Sequence, residues 1–243
     1  MTTFTTEDRL SVATFTKNAD GGASVLFEPI PFAGMVDLEI KQGTDEWKKL
    51  RLGKVTASRV ADVMSKIKSG ESASRKNYKM DLVVERLTNT PTSSFTNAAM
   101  AWGTETEPLA RMAYEAFKGE FVDQVVFCNH PTIEWFGCSP DGTTKDGLIE
   151  IKCPNTATHI DYLLAGVPPA KYVPQMQTQM ACTGAKWCDF VSFDPRLPPE
   201  LQLFVVRLNR DEAYIQEIEA EVKQFLDEVQ QVYSQLKERS YGH

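Results

Sequence analysis

Two short segments of this chain put charge where a β-core should be apolar. Ser139-Pro140-Asp141-Gly142 is followed closely by Leu148-Ile149-Glu150-Ile151-Lys152-Cys153-Pro154. Successive strand side chains point to opposite faces, so Ile149 and Ile151 share one face while Glu150 and Lys152 share the other. An ionised Glu and Lys on a half-buried strand are costly unless compensated, and a divalent cation flanked by a second carboxylate compensates well. Asp141, delivered by a Pro-Asp-Gly turn just before the strand, supplies that carboxylate. Hard oxygen ligands select Mg2+ or Mn2+ over softer metals. Such an ion polarises a scissile phosphate, lowers the pKa of a bound water and stabilises the leaving oxygen, while a lysine steers or activates the water. Taken singly, Ser-Pro-Asp-Gly is a plain turn and Glu-x-Lys an exposed cross-strand pair. Their joint occurrence between apolar strands points to a metal-dependent phosphodiesterase.

The elements that must position these residues form a mixed α/β plan. Thr44 with Asp45 and Glu46 reads as a helix N-cap with first-turn acids, and Gly53 as the stop of a short helix carrying Trp47, Leu50 and Arg51. Thr56-Ala57-Ser58 opens a second helix with Val60, Val63 and Met64 at core spacing, and its first turn offers free N–H groups and two hydroxyls. Ser69 to Ser72 reads as a loop, and Tyr78 to Leu87 resumes helical periodicity. Ala98 to Phe117 contains another helix, with Leu109, Met112, Ala113, Ala116 and Phe117 as its apolar side; Pro108 makes it begin near Glu105 or bend there. Phe121 to Cys128, Ile133 to Cys138 and Leu148 to Lys152 are strand candidates, the first two joined by a turn at Asn129-His130-Pro131. Pro174 to Cys182 reads as a helix, and Asp189 to Phe193 and Leu203 to Leu208 as two more strands. Residues 211–238 form a long amphipathic helix with Ile215, Ile218, Val222, Phe225, Val229, Val232 and Leu236 on one side, packed on the domain itself or on another subunit.

At 243 residues and 42% hydrophobic, the chain has material for one sizeable core. Residues 1–37, with Gly21-Gly22, Pro29 and Pro31, read as an N-terminal extension in which Ala23 to Phe27 has edge-strand character after the Gly-Gly turn, and residues 38–243 as the main domain. No apolar run approaches the roughly 18 residues of a membrane span, and the Thr-rich start lacks the regions of a signal peptide, so the chain reads as cytoplasmic. Five cysteines without C-x-x-C spacing indicate reduced core residues rather than disulfides or zinc. The net charge of −7 argues against coating nucleic acid with the whole surface. It is unevenly placed: from Lys48 to Lys79 there are ten Lys or Arg against two acids, Asp62 and Glu71. Such a window suits a cleft for a polyanion, or a solvated basic helix face.

Asp141 with Glu150-Ile151-Lys152 resembles the PD-(D/E)xK nuclease motif. The resemblance is closer to the phage lambda exonuclease group, the YqaJ-type viral recombinases. It is carried by four ordered blocks: Trp47 to Gly53 with Thr56-Ala57-Ser58; Ala101-Trp102-Gly103 with Glu107; Cys138 to Gly142; and Glu150 to Pro154 followed by Gln175-Met176-Gln177. It implies a mixed central sheet flanked by helices, with Asp141, Glu150 and the backbone carbonyl of Ile151 binding the metal, Glu107 completing a second metal position and Lys152 as the catalytic lysine. Arg51, Ser58, Ser139 and Gln175 fall where the group holds the 5′-phosphate of a DNA end, and Met100 where it uses an apolar wedge to split the terminal base pair. Arg51 lies in the basic window and Ser58 at a helix N-terminus, which suits an anion on independent grounds. Members of the group form a ring-shaped trimer on double-stranded DNA ends. They degrade one strand 5′ to 3′ with Mg2+, leaving a 3′ overhang for a single-strand annealing protein in the phage-infected or lysogenic bacterial host. The N-terminal extension and the loop from Lys68 to Arg75 depart from the lambda pattern. A site- or structure-specific endonuclease of the same fold is the alternative enzyme, and a DNA-binding module without cleavage the alternative from another class. Arg51, Ser58 and Gln175 favour end recognition over internal cutting.

Overall fold

The computed structural model describes residues 11–17, 23–29, 40–68, 70–92 and 98–241. The chain divides after Gly34 into two compact units. In the first, β1 (Ser11–Lys17) and β2 (Ala23–Pro29) pair antiparallel, Ser11 opposite Pro29 and Lys17 opposite Ala23. The predicted strand thus extends to Pro29, while the Gly21-Gly22 turn, Pro31 and the Thr-rich start lie outside the described residues.

The second unit is built around β7 (Leu148–Lys152), the predicted Glu-x-Lys strand. Its sheet has the order β6-β7-β8-β9, with β6 (Gly142–Thr143) antiparallel to β7, β8 (Trp187–Phe193) parallel to it, and β9 (Leu203–Asn209) antiparallel to β8. One face is covered by α4 (Ala98–Lys118), where Ala110 and Tyr114 pack on Ile149, Ile151, Val191 and Phe193. The other is covered by α5 (Thr156–Ala165) and α6 (Val173–Thr183), where Tyr162, Met176 and Met180 pack on Leu148 and Phe190. In a sheet lined by apolar residues on both faces, Asp189 on β8 is fully buried but held by Arg207 and Tyr114, which leaves Glu150, also fully buried, as the carboxylate that requires an explanation.

A second small sheet has β5 (Phe136–Cys138) between β3 (Val55–Thr56), parallel to it, and β4 (Cys128–Asn129), antiparallel. The expected turn at Asn129-His130-Pro131 opens a longer connection, residues 130–135, that takes in Ile133 to Trp135, residues expected in the strand. Short helices α1 (Asp45–Arg51) and α2 (Val60–Val63) and the longer α3 (Ala73–Thr88) lead to and from it. The C-terminal helix α7 (Glu212–Tyr241) buries Ile218, Val222, Phe225 and Val229 against Val60, Val63, Tyr78 and Leu82, so its apolar side packs on its own domain. All five cysteines are free, and four are buried.

Four expectations are corrected. The helix α4 begins at Ala98 and carries Pro108 in its interior, on an exposed position where water can satisfy the carbonyl that loses its partner. Its core face is Thr106, Ala110 and Tyr114, with the expected Ala113 packed beside them, while Leu109, Met112 and Phe117 are exposed. Residues 121–127 form no strand beyond a bridge between Asp123 and Thr143. The helix after Thr56 is a 3-10 turn (Ala57–Arg59) followed by the single turn of α2, too short for an aligned helix dipole. The helix α5, capped by Asn155 accepting from the Thr158 N–H at 2.9 Å, has no counterpart in the sequence expectations.

The basic window also divides. Arg75 reaches Glu228 of α7 through two contacts of 2.7 and 2.9 Å, Lys79 reaches the same carboxylate at 3.0 Å, and Lys66 reaches Glu221 at 2.6 Å. These cations brace α2 and α3 against the acidic helix. Lys48, Arg51, Lys54 and Arg59 instead line a cavity of about 530 Å³.

Candidate active site

The turn that delivers Asp141 is held by close approach. A Cβ on Gly142 would lie 2.1 Å from Val122 Cγ1, so glycine is required where β6 starts. Asp141 Oδ2 then accepts the Ile151 N–H at 2.7 Å, which ties the turn to β7. The next strand position back, Glu150, turns toward α6. Gln175 Nε2 donates to its Oε1 and Gln179 Nε2 to its Oε2, each at 2.6 Å, and Lys152 pairs with Oε1. Spacing of four residues puts both glutamines on one face of α6.

Arg51 arrives from the end of α1. Thr44 caps that helix by accepting the Trp47 N–H at 3.3 Å, and Gly53, at φ +67°, ends it. The Arg51 guanidinium sits 4.0 Å over the Trp47 ring and donates to Ser58 Oγ at 3.2 Å. Trp47 Nε1 in turn donates toward Ser139 Oγ and the Val126 carbonyl, both at 3.0 Å. One tryptophan therefore fixes both Arg51 and Ser139. The result is a cavity of about 170 Å³ onto which Arg51, Ser58, Ser139, Asp141, Glu150, Lys152 and Gln175 all open. Seven residues named from sequence converge there.

The remaining three are placed differently. The Ile151 N–H serves Asp141. Glu107 pairs with Arg111 at 2.8 Å, and Arg111 also donates to the Asp141 carbonyl at 3.2 Å. Met100 is half exposed and lines the 530 Å³ cavity, which shares Trp47, Arg51, Thr56 and Ser58 with the smaller one. Sequence reasoning missed Arg111 and Gln179. Arg111 stands one helical turn after Glu107. Gln175, Gln177 and Gln179 punctuate an apolar helix, and buried amides demand partners.

The electrostatics of the cluster suit a divalent cation. Burial first, and then the Glu150 charge, push the Asp141 carboxyl well above the ordinary carboxylate range. Burial raises Glu107 as well, against Arg111 and Lys152, which act to lower it. Burial alone would lower Lys152, but the Glu150 and Asp141 carboxylates outweigh it and hold the ammonium protonated. The donors are oxygens, and the carboxylates are short of positive charge, which is what a hard divalent cation supplies. Among the described residues no group of three or more His, Cys, Asp or Glu side chains is arranged to hold an ion unaided, so the Ile151 carbonyl and water would complete the shell of Asp141 and Glu150.

A sheet flanked by helices, with Asp141, Glu150 and Lys152 gathered at one cavity, defines a PD-(D/E)xK nuclease. The model of the YqaJ-like viral recombinase domain matches residues 46–186, and the chain belongs to that family. The alkaline exonuclease LHK-Exo from Laribacter hongkongensis is 54% identical and superposes with a TM-score of 0.77, covering 82% of this chain and 98% of its own. A structure of LHK-Exo in complex with dAMP matches equally well. A phage-related exonuclease from Haemophilus somnus 129PT shares the fold at 18% identity and a TM-score of 0.59, over 79% of this chain and 99% of that one. No curated protein matches. The chain is a nuclease that hydrolyses DNA. Among the described residues no helix is long and apolar enough to cross a membrane.

Proposed function

We propose that this nuclease is an Mg2+-dependent exonuclease that enters linear double-stranded DNA at a 5′-phosphorylated end and degrades that strand 5′ to 3′. The observation that carries the reading is the shared cavity: Arg51, Ser58, Ser139 and Gln175 stand beside Asp141, Glu150 and Lys152. A guanidinium, two hydroxyls and an amide donor form a phosphate grip. Next to the catalytic carboxylates, that grip measures the distance from a chain end rather than reading a sequence.

In the reaction, water adds to the first internucleotide phosphorus and the bond to the 3′ oxygen breaks. A 5′-mononucleotide leaves, and the shortened strand again ends in a 5′-phosphate that fits the same grip. Asp141, Glu150 and the Ile151 carbonyl would hold Mg2+, which would supply charge neutralisation at the phosphate and an acidified water. Lys152, protonated between two carboxylates, donates to the water or phosphate oxygen and orients it. Met100 at the rim of the larger cavity serves as the wedge at the terminal pair. The relative crystallised with dAMP holds a mononucleotide of this product class.

The strand left behind is a 3′ overhang, the substrate of a single-strand annealing protein in recombination. The exposed Leu109, Met112 and Phe117 on α4, followed by Phe121, form an apolar stripe that supports subunit contact in a homotrimer. Sedimentation of the purified chain tests this; a monomer at micromolar concentration contradicts it.

The activity is tested with linear duplex, phosphorylated or not, beside a covalently closed circle. Trimming of the phosphorylated linear DNA with Mg2+, sparing of the circle and arrest by chelator support the reading. Nicking of the circle would transfer it to an endonuclease.

A further inference from the structure

Behind Glu150, on the side away from the cavity, α6 presents a residue with no access to solvent. Gln179 is 0% exposed. Its Nε2 lies 2.6 Å from Glu150 Oε2, and its Oε1 lies 3.8 Å from the Cys188 Sγ. An ionised carboxylate only accepts, so the atom facing Oε2 is the amide nitrogen. The buried thiol has a proton to donate, so it faces the amide oxygen. Both neighbours select the same orientation of the amide, and the close-packed interior leaves it no other.

The two oxygens of Glu150 are therefore unequal. Oε1 meets Gln175 and Lys152, which both line the cavity. Oε2 meets an amide that does not. A neutral amide leaves the carboxylate its full charge, whereas a second cation in that position would have offset it. Gln175 and Lys152 face the open cavity and can turn to phosphate and water, releasing Oε1 to an ion, whereas the enclosed Gln179 amide has nowhere to turn and keeps Oε2.

We propose that Gln179 is a positioning residue that restricts Glu150 to coordinating the metal through Oε1 alone, and so biases the site toward Mg2+ and Mn2+ over Ca2+. This rests on Glu150 being a metal ligand. Mg2+ demands a near-ideal octahedron and takes one oxygen from each carboxylate, while Ca2+ accepts six to eight ligands and readily uses both oxygens of one carboxylate. A carboxylate pinned at Oε2 suits the first and handicaps the second.

The test is direct binding of Mn2+ and of Ca2+ to the full chain without DNA, by titration calorimetry, with Mn2+ electron paramagnetic resonance as an independent readout. Gln179→Met keeps the length and volume of the side chain but removes the donor. We expect its Mn2+ affinity to fall about 10–100-fold, the usual effect of losing a partner of a metal ligand. Ca2+ affinity falls less, or rises, so the ratio of the two constants moves toward Ca2+. Gln179→Asn, which keeps an amide but withdraws it by one methylene, shifts the ratio the same way and serves if the Met variant does not fold. Equal losses for both ions, or an unchanged ratio in a folded variant, overturn the assignment and indicate packing alone. Glu150→Gln separates the underlying reading: it should lose both ions. Wild-type Mn2+ binding by that variant would remove Glu150 from the ligand set, and the proposal with it.

Discussion

Asp141 Oδ2 accepts the backbone N–H of Ile151 at 2.7 Å, so the turn before β6 and the catalytic strand are held as one piece. The contact fixes the carboxylate but does not satisfy its charge, and burial with Glu150 raises its pKa. A carboxyl whose folded pKa exceeds its unfolded value subtracts stability once pH rises above the unfolded value. Asp141→Asn removes that penalty and can still accept from Ile151 through its amide oxygen. In metal-free buffer at neutral pH it should melt at or above the wild-type temperature, yet show no upward shift on adding Mg2+. Cleavage should fall by roughly 100-fold or more. A variant that melts well below wild type, or that keeps its Mg2+ shift, contradicts this.

In the proposed mechanism Lys152 pairs with Glu150, the neighbouring carboxylates favour its ammonium form, and its role is to orient and neutralise. Lys152→Ala should bind duplex ends with near wild-type affinity and not cut them. Binding is read by fluorescence anisotropy and cutting on a denaturing gel; unchanged cutting removes Lys152 from the mechanism.

Arg51 is stacked on Trp47 and bonded to Ser58, and in the proposed grip it carries the preference for phosphorylated ends. Charge-assisted contacts of this kind contribute ~1.5–3 kcal/mol, so Arg51→Ala should raise KM for phosphorylated ends by about tenfold or more. Its KM for unphosphorylated ends should barely change. Trp47→Phe keeps an aromatic platform but loses the Nε1 donor to Ser139, and should show a smaller loss of the same preference. An Arg51 variant that still discriminates the two ends would move the grip elsewhere.

Acid should loosen the brace between α3 and α7. Arg75 and Lys79 hold Glu228 down to about 2. A depressed carboxylate contributes stability that is complete above its unfolded pKa, near 4.5, and is lost as pH falls toward 2. Protonation removes about 3 kcal/mol at most. Denaturant midpoints measured between pH 5 and pH 2 should fall more steeply for wild type than for Glu228→Gln. Parallel curves would show that the bridge contributes nothing measurable.

The sequence disclosed the catalytic strand because Glu150 and Lys152 interrupt an apolar run, and the helix starts at Thr44 and Pro174 because caps and proline act locally. It misled at α4, where apolarity suggested Leu109, Met112 and Phe117 as the core face. The helix instead buries Thr106, Ala110 and Tyr114, whose role depends on proximity to a sheet formed far along the chain. The helix α5 escaped because its buried His159 is held by Ser192 and the Leu201 carbonyl rather than by an apolar stripe. Arg111 and Gln179 escaped for a related reason: each reaches a partner about thirty residues distant, and no local pattern records the pairing.

The most direct measurement follows, through single turnovers in Mg2+, a linear duplex with a 5′-phosphate on one strand only. That strand is labelled at its 5′ end in one preparation and at its 3′ end in another, and its partner carries a separate label. The 5′ label of the phosphorylated strand should leave first as a mononucleotide. The 3′-labelled strand should then shorten stepwise while its partner stays full length. Release of the 3′ label first, internal fragments, or equal loss of both strands would contradict the account.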